Sequence, residues 1–369
     1  MDGIGYNLND AISNLVKRSK EDDHTPFYKK KWFIGVSIGV SILIVGIIVL
    51  IVVLLTNREK KALGEIHCIY EINDVTQRVQ ILSEDFDKGQ NDFDIVINEE
   101  TIRFTKDYKF PNSGKNNVLF KIYKEINMDN MFKDVKALTS VILNSTEQIS
   151  IISMESTFEN CEKLKSFSIK DYKVDGLKSF RRSFYNTALN NTNMAYFSSC
   201  KIEDFSYMFG SYKYEYLDLK NIKTQYAKNM SHMFYNSKAL VTLDLTNINT
   251  KNVEDMSGMF AGCEKLRQLN LTLLDTSNVK NMSAMFKGCD TSYISDFSKF
   301  KTNNVIDMSY MFDSNLYTNR FDLTPFNTKN VKYMNNMFHN CQNLRTIDIS
   351  SFITDSVVDF SYMFSNCDN

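Results

Sequence analysis

The stretch Met256-Ser257-Gly258-Met259-Phe260-Ala261-Gly262-Cys263 returns in altered form along most of the chain. Counted from its phenylalanine, it recurs at Phe234, Phe260, Phe286, Phe312, Phe338 and Phe364, each step being 26 residues. Fainter copies stand upstream at Phe209, Phe184, Phe158 and Phe132, spaced 25, 25, 26 and 26 back from Phe234. The residue before the phenylalanine is Met except at Thr157 and Ser183, and the residue four before it is Met or Phe throughout. A fixed period of this size marks a solenoid, in which one unit cannot bury its apolar face without neighbours.

Working outward within one period, Val253, Met256, Met259, Phe260 and Cys263 fall three or four apart, which predicts one face of a short helix. Leu266, Leu269 and Leu271 follow at strand spacing. Thr250, Ser277, Asn278 and Thr302 stand where side-chain oxygens would cap the helix start. Each coil is therefore expected to run strand, turn, helix, turn. The expected fold class is α/β: a leucine-rich-repeat-like solenoid of ten coils over residues 127–369, with a parallel sheet and short helices on the opposite flank.

The quoted phrase and its surroundings, Thr250-Lys251-Asn252-Val253 through Leu266-Arg267-Gln268-Leu269-Asn270-Leu271, resemble the 26-residue surface-protein repeat related to the BspA-type leucine-rich repeats. Thr-x-Asn-Val recurs at Thr276, Thr302 and Thr328. Proteins of that kind occur on wall-less bacteria and some protists. The resemblance implies a solenoid displayed on the cell surface for adhesion or host interaction, and it carries over no catalytic residues.

Upstream of the repeats the composition changes twice. Residues 33–55 form 23 uncharged positions rich in Ile, Val and Leu, enough to cross a hydrocarbon core of about 30 Å at about 1.5 Å per residue. Tyr28 and Trp32 take interfacial positions. Lys17, Arg18, Lys20, Lys29, Lys30 and Lys31 precede the run, against Arg58, Lys60 and Lys61 after it, which predicts a cytoplasmic N-terminus and external repeats. No small-residue cleavage site ends the run, so it reads as an uncleaved signal-anchor. The expected organisation is a mostly disordered cytoplasmic tail (1–31), a transmembrane helix (32–56), a juxtamembrane linker (57–65), a small β-rich domain (66–126) and the repeats. In the β-rich segment, strands are expected at 69–72, 79–82, 93–97, 101–105 and 118–123, shielding the first coil.

Composition excludes several functions. A net charge of −1 leaves no basic surface for nucleic acid. The four histidines, His24, His67, His232 and His339, lack metal-site spacing, and no nucleophile elbow, P-loop or dinucleotide fingerprint is present. No catalytic residue, cofactor site or metal site is expected, and the chain does not read as an enzyme. His232 and His339 read as surface polar residues. Cys161, Cys263, Cys289, Cys341 and Cys367 share the position three after the phenylalanine, where other copies hold Val, Thr, Tyr, Ser or Asn. They are expected as free, semi-buried thiols rather than bridges between coils.

The candidate binding face lies on the strands. Between the inward leucines one position must point outward, and it reads Asp244, Asn270, Asp296, Asp322 and Asp348 in successive coils. Two residues on, it reads Thr246, Thr272, Ser298, Thr324 and Ser350. With parallel strands about 4.8 Å apart, these make an acidic ladder beside a hydroxyl ladder, a surface for an extracellular protein or glycan. The alternative is that Asp and Thr satisfy turns, and that the protein is a surface scaffold or coat element associating laterally with itself. The last coil stops after Cys367 without its strand, which reads either as a shortened array or as an open end that pairs with another copy.

Overall fold

The computed structural model describes residues 40–41, 43–48, 60–87, 92–190, 193–294 and 296–367. It divides into two units, residues 1–61 and 62–369. In the first unit, residues 40–41 and 43–48 are helical and exposed. The rest of the expected transmembrane segment and the expected tail lie outside the described residues. Among the described residues no helix is long and apolar enough to cross a membrane.

The second unit begins with alternating residues, as sheet faces require. β1 (Gly64–Ile72) buries Ile66, Cys68, Tyr70 and Ile72 on one face. β2 (Val79–Gln80) pairs with β5 (Asp107–Tyr108), and the ribbon is clamped by Arg78 Nε at 2.7 Å from Asp107 Oδ2. β3 (Phe93–Ile97), β4 (Glu100–Ile102) and β6 (Gly114–Ile122) complete the segment. It does not close on itself as a sandwich. β1 pairs antiparallel with β8 (Leu138–Ser145), the strand of the Phe132 copy, and β8 pairs parallel with β10 (Ser166–Lys170), the strand of the Phe158 copy. One sheet, ordered β10-β8-β1-β6-β3-β4, thus joins the β-rich segment to the first coils. β7 (Ile126–Asn127) and β9 (Ile151–Ser153) form a second parallel contact between those coils.

From Ser179 onward one bridge ladder runs through successive coils. Single-residue parallel bridges link Ser179, Asp204, Asn229, Asp255, Asn281, Asp307, Tyr333 and Asp359 in sequence, a solenoid of about eight turns with two earlier copies absorbed into the sheet above. Opposite this ladder lie short parallel strands: β11 (Tyr216–Leu217), β12 (Thr242–Leu243) and β13 (Gln268–Leu269) in one group, β14 (Arg320–Asp322) and β15 (Thr346–Asp348) in another.

The expected helices are absent from the repeats. Each Met-x-x-Met-Phe segment is a chain of overlapping four-residue turns, and this corrects the α/β assignment to a mostly β solenoid. Met259 N–H closes on Met256 O at 3.2 Å, Ala261 N–H on Gly258 O at 3.0 Å, and Cys263 N–H on Phe260 O at 3.0 Å. The N–H groups between them leave the coil: those of Met256, Gly258, Phe260 and Gly262 donate to the carbonyls of Asn281, Ser283, Met285 and Lys287 at 3.0, 2.8, 3.0 and 2.7 Å. A helix would direct these donors inward along its own axis. Left-handed residues enforce the departure, with φ of +57° at Gly258 and +75° at Gly262. A type II turn needs φ > 0 at its third residue, and the non-glycine copies meet it with residues such as Asn336 and Asn340.

The expected caps are reassigned by the same geometry. Thr250 Oγ1 donates to Asp275 O of the next coil at 2.9 Å, and Thr302 Oγ1 donates to Asn327 O at 2.9 Å while accepting from Asn327 N–H at 2.7 Å. Asn278 Nδ2 reaches back to Lys251 O at 2.8 Å, and Ser277 bonds Asp275 Oδ1 through its N–H. Thr-x-Asn-Val is therefore a device for bonding both neighbours, with Val253, Val279, Val305 and Val331 buried in the core.

Inside, the phenylalanines stack face to face in one column from Phe132 to Phe364, with centroid spacings of 5.4 to 6.4 Å. The methionines beside them are fully buried through Met337, unbranched side chains suited to filling the gaps between coils. The repeated cysteines are thiols whose Sγ donates to the preceding coil: Cys263 to Phe234 O at 3.2 Å and Cys289 to Phe260 O at 2.9 Å. Ser237 Oγ and Asn315 Nδ2 make the same bond to Phe209 O and Phe286 O.

Two measurements check this core. Phe260→Ala removes a ring stacked on both neighbours, and its urea midpoint should fall by the equivalent of about 3–5 kcal/mol. Burial pushes the thiols of Cys289 and Cys341 up to about 12 and that of Cys200 to about 11. A maleimide reagent should therefore label native protein at Cys367 at most, the one half-exposed cysteine, and label all seven after unfolding, as read by mass spectrometry.

Candidate functional site

The strand-face residues are exposed, and each is tied into its own coil. Oδ1 of Asp244, Asn270, Asp296, Asp322 and Asp348 accepts the backbone N–H two residues on, from Thr246, Thr272, Ser298, Thr324 and Ser350, at 2.9, 3.1, 3.0, 3.2 and 3.0 Å. The hydroxyls of Thr272, Thr324 and Ser350 bend back to the same oxygen at 2.6, 2.7 and 2.7 Å. These are the local turns that Asp, Asn, Ser and Thr favour. The two ladders thus form one row of closed turns, in which the second carboxylate oxygen remains open to an outside donor.

The structure brings some of this row together. β14 and β15 place Asp322 directly opposite Asp348, and Asp348 opposes ionisation of Asp322. β12 and β13 deliver Asp244 and Asn270 just past their paired ends. Asp296 stands in the Phe286 coil, between the two strand groups, and is joined to neither. Hydrogen bonds from Ser298, Thr324 and Ser350 hold the carboxyls of Asp296, Asp322 and Asp348 below their ordinary value, and those from Thr246 do so for Asp244.

A second feature lies on the bridge-ladder flank and was not foreseen. The residue six before the phenylalanine reads Lys178, Glu203, Lys228, Glu254, Lys280, Ile306 and Lys332 from the Phe184 copy to the Phe338 copy, and Ile126, Ile152 and Val358 in the others. Lys228 Nζ lies 2.7 Å from Glu203 Oε2, and Lys280 Nζ lies 2.7 Å from Glu254 Oε2. Beside them runs a row of Asn252, Asn278, Asn304 and Asn330, and together they line an open groove of about 750 Å³. The alternation of sign at one repeat position was the readable signal.

The two repeat histidines are not free surface groups. His232 lies flat on Tyr207 at 4.4 Å, with Arg182 over the same ring at 4.4 Å. Burial lowers its pKa. His339 Nδ1 lies 3.0 Å from Asp313 Oδ1, a carboxylate also held by Lys287 Nζ at 2.9 Å. Among the described residues no group of three or more His, Cys, Asp and Glu side chains could hold a metal ion.

Fold and surface together define a repeat solenoid whose coils are bonded through their backbones. The family model described as "Mycoplasma protein of unknown function, DUF285" matches residues 126–242, 204–320 and 268–369. Those matches run from the first coil through the last, and the chain belongs to the DUF285 family. No curated protein and no solved structure matches it.

Acid titration reports on the turn row. Because the folded carboxyls of Asp244, Asp296, Asp322 and Asp348 titrate below their ordinary 3.8, their stabilisation is present above that value and is lost as pH falls through the lower folded values. A variant with all four changed to Asn keeps the acceptor oxygen and should lose less stability than the native chain across that acid range, followed by circular dichroism.

Proposed function

We propose that the chain is a surface binding protein, anchored by residues 32–56 with its N-terminus in the cytoplasm and its solenoid outside, where it engages an extracellular protein or glycan without catalysing a reaction. The observation that carries this reading is the division of labour within each coil. Backbone donors, Thr hydroxyls, Asn side-chain amides and thiols are used between coils, so the groups left to an outside molecule are the outward rows, repeated in register. A concave or flat array of that kind is what solenoids use for binding. The uncharged run 33–55 and the lysine excess before it support the anchor and its direction. The resemblance to BspA-type leucine-rich repeats supports adhesion as the role.

The second reading is a coat or scaffold element that associates laterally, and the alternating ladder favours it. A second copy laid antiparallel on the bridge-ladder flank would set its Glu254 against Lys228 and its Lys280 against Glu203. Full-length chain displayed on intact cells separates the two. Surface binding predicts that external protease removes the repeats, and that Asp296→Asn, Asp322→Asn and Asp348→Asn together reduce adhesion at equal display. Unchanged adhesion by that variant, with salt-sensitive clustering by light scattering, would transfer the function to the flank.

A further inference from the structure

Among the described residues the Phe286 coil contributes no paired strand. Parallel pairing ends at Gln268–Leu269 and resumes at Arg320–Asp322. Between them the chain folds into a tight turn at Thr291–Tyr293, started by Asp290. A notch of about 620 Å³ opens at this break, lined by Glu264, Arg267, Asp290, Ser314, Leu316 and Tyr317 with their neighbours.

Its floor is rigid. The buried Thr291 hydroxyl donates to Asn315 Oδ1 at 2.7 Å and lies 2.7 Å from Thr318 Oγ1, while Asn315 Nδ2 donates to Phe286 O and Phe312 O at 2.8 and 2.9 Å. A buried polar network with every member bonded fixes one geometry. Its wall is charged yet balanced. The Asp290 side chain is 6% exposed, with Oδ2 3.3 Å from Arg267 Nη2 and Oδ1 accepting Ser292 N–H at 3.3 Å. The Arg267 guanidinium also lies 4.7 Å over the ring of Tyr293. Its rim carries Tyr317, 65% exposed.

The chemistry of these groups selects a ligand class. Two carboxylates, Glu264 and Asp290, are matched by two cations, Lys265 and Arg267, so neither an anion nor a cation is favoured. Asp290 Oδ1 already takes the N–H and the hydroxyl of Ser292, and Glu264 Oε1 takes Lys238 Nζ at 2.8 Å, so Asp290 Oδ2 and Glu264 Oε2 are the oxygens that keep a lone pair for a hydroxyl, with the Arg267 guanidinium as the donor beside them. An aromatic ring offers a negative face to polarised C–H groups. Closely spaced hydroxyls on the edge and C–H groups on the face are the two surfaces of a pyranose ring. We propose that the notch at the Phe286 coil binds a neutral sugar unit, stacked on Tyr317 and held through its hydroxyls by Glu264, Asp290 and Arg267. The site is distinct from the strand-face row and does not rest on it.

Saturation-transfer NMR on the full-length chain in nanodiscs tests this, with methyl β-glucopyranoside, methyl β-galactopyranoside and methyl N-acetyl-β-glucosaminide as probes. At least one should receive transfer, strongest at the ring C–H protons of the stacked face. Tyr317→Ala should weaken binding about tenfold or more, Glu264→Gln should weaken it, and Tyr317→Phe should retain it, all with native circular dichroism. The exposure of Tyr317 keeps its replacement compatible with folding, and Glu264→Gln reads the polar half independently. Absence of transfer to all three probes overturns the proposal, as does transfer that neither Tyr317→Ala nor Glu264→Gln reduces. Either result leaves adhesion through the strand face standing.

Discussion

Everything in the repeats depends on where four backbone N–H groups per coil point. In the Phe312 coil those of Met308, Tyr310, Phe312 and Ser314 donate to Tyr333, Asn335, Met337 and His339 of the following coil. Each acceptor carbonyl shares its peptide plane with the next donor, so from the Phe209 coil onward four columns of peptide dipoles run along the solenoid in one direction. Had the segment been helical, these donors would be satisfied within the coil and neighbouring coils would meet only through side chains. The turn conformation instead makes every coil a required hydrogen-bond partner of the next, and an unpaired buried N–H costs about 1–3 kcal/mol. Stability is therefore a neighbour property, as expected of a one-dimensional array.

The same constraint explains which polar residues enter the core. Turn backbones leave carbonyls directed toward the following coil at particular positions, and the side chain that meets one must be a donor. Cys161, Cys263, Cys289, Cys341 and Cys367 each meet the carbonyl of the phenylalanine 29 residues before. Thr157 and Ser183, the two departures from the methionine position, meet Met128 O and Met154 O in the same way at 3.0 and 2.8 Å. Position-specific tolerance for Cys, Ser, Thr and Asn is thus tolerance for a small hydrogen-bond donor, and size alone does not describe it.

How much of this the amino-acid sequence disclosed follows from the degeneracy of its signals. The period, the buried Met and Phe columns, the free thiols and most of the strands in 64–122 were legible because burial and alternation are read directly from residue type. The helix was misread because spacings of three and four serve overlapping four-residue turns as well as a helical face. The discriminating cue was the residue two after each phenylalanine: Asn160, Asn186, Gly262, Gly288, Asn340 and Asn366 are the types that accept a left-handed backbone, and all have φ between +53° and +75°. The threonines were misassigned for a related reason, since a capping hydroxyl and an inter-coil hydroxyl look alike in sequence. The turn closures of the Asp and Thr row were not legible, because an i to i+2 bond depends on backbone angles that composition does not reveal.

Regularity has a functional consequence that points to the irregular coil. Where every coil presents the same turn to solvent, the surface offers a repeated motif with closed hydrogen bonds and shallow relief, suited to extended or multivalent contacts. Departures from the period are the places where an array of this kind gains depth. At the Phe286 coil, the turn at Thr291–Tyr293 is sustained by Thr291, Asn315 and Thr318, all buried and all bonded. Burying three polar side chains is unfavourable unless their bonds are complete, so this coil holds a specified alternative geometry. A solenoid that repeats one motif along most of its strand face and departs from it locally can combine broad, weak, repeated contact with a localised site. The two modes differ in their dependence on array length: the first scales with the number of coils, the second with one.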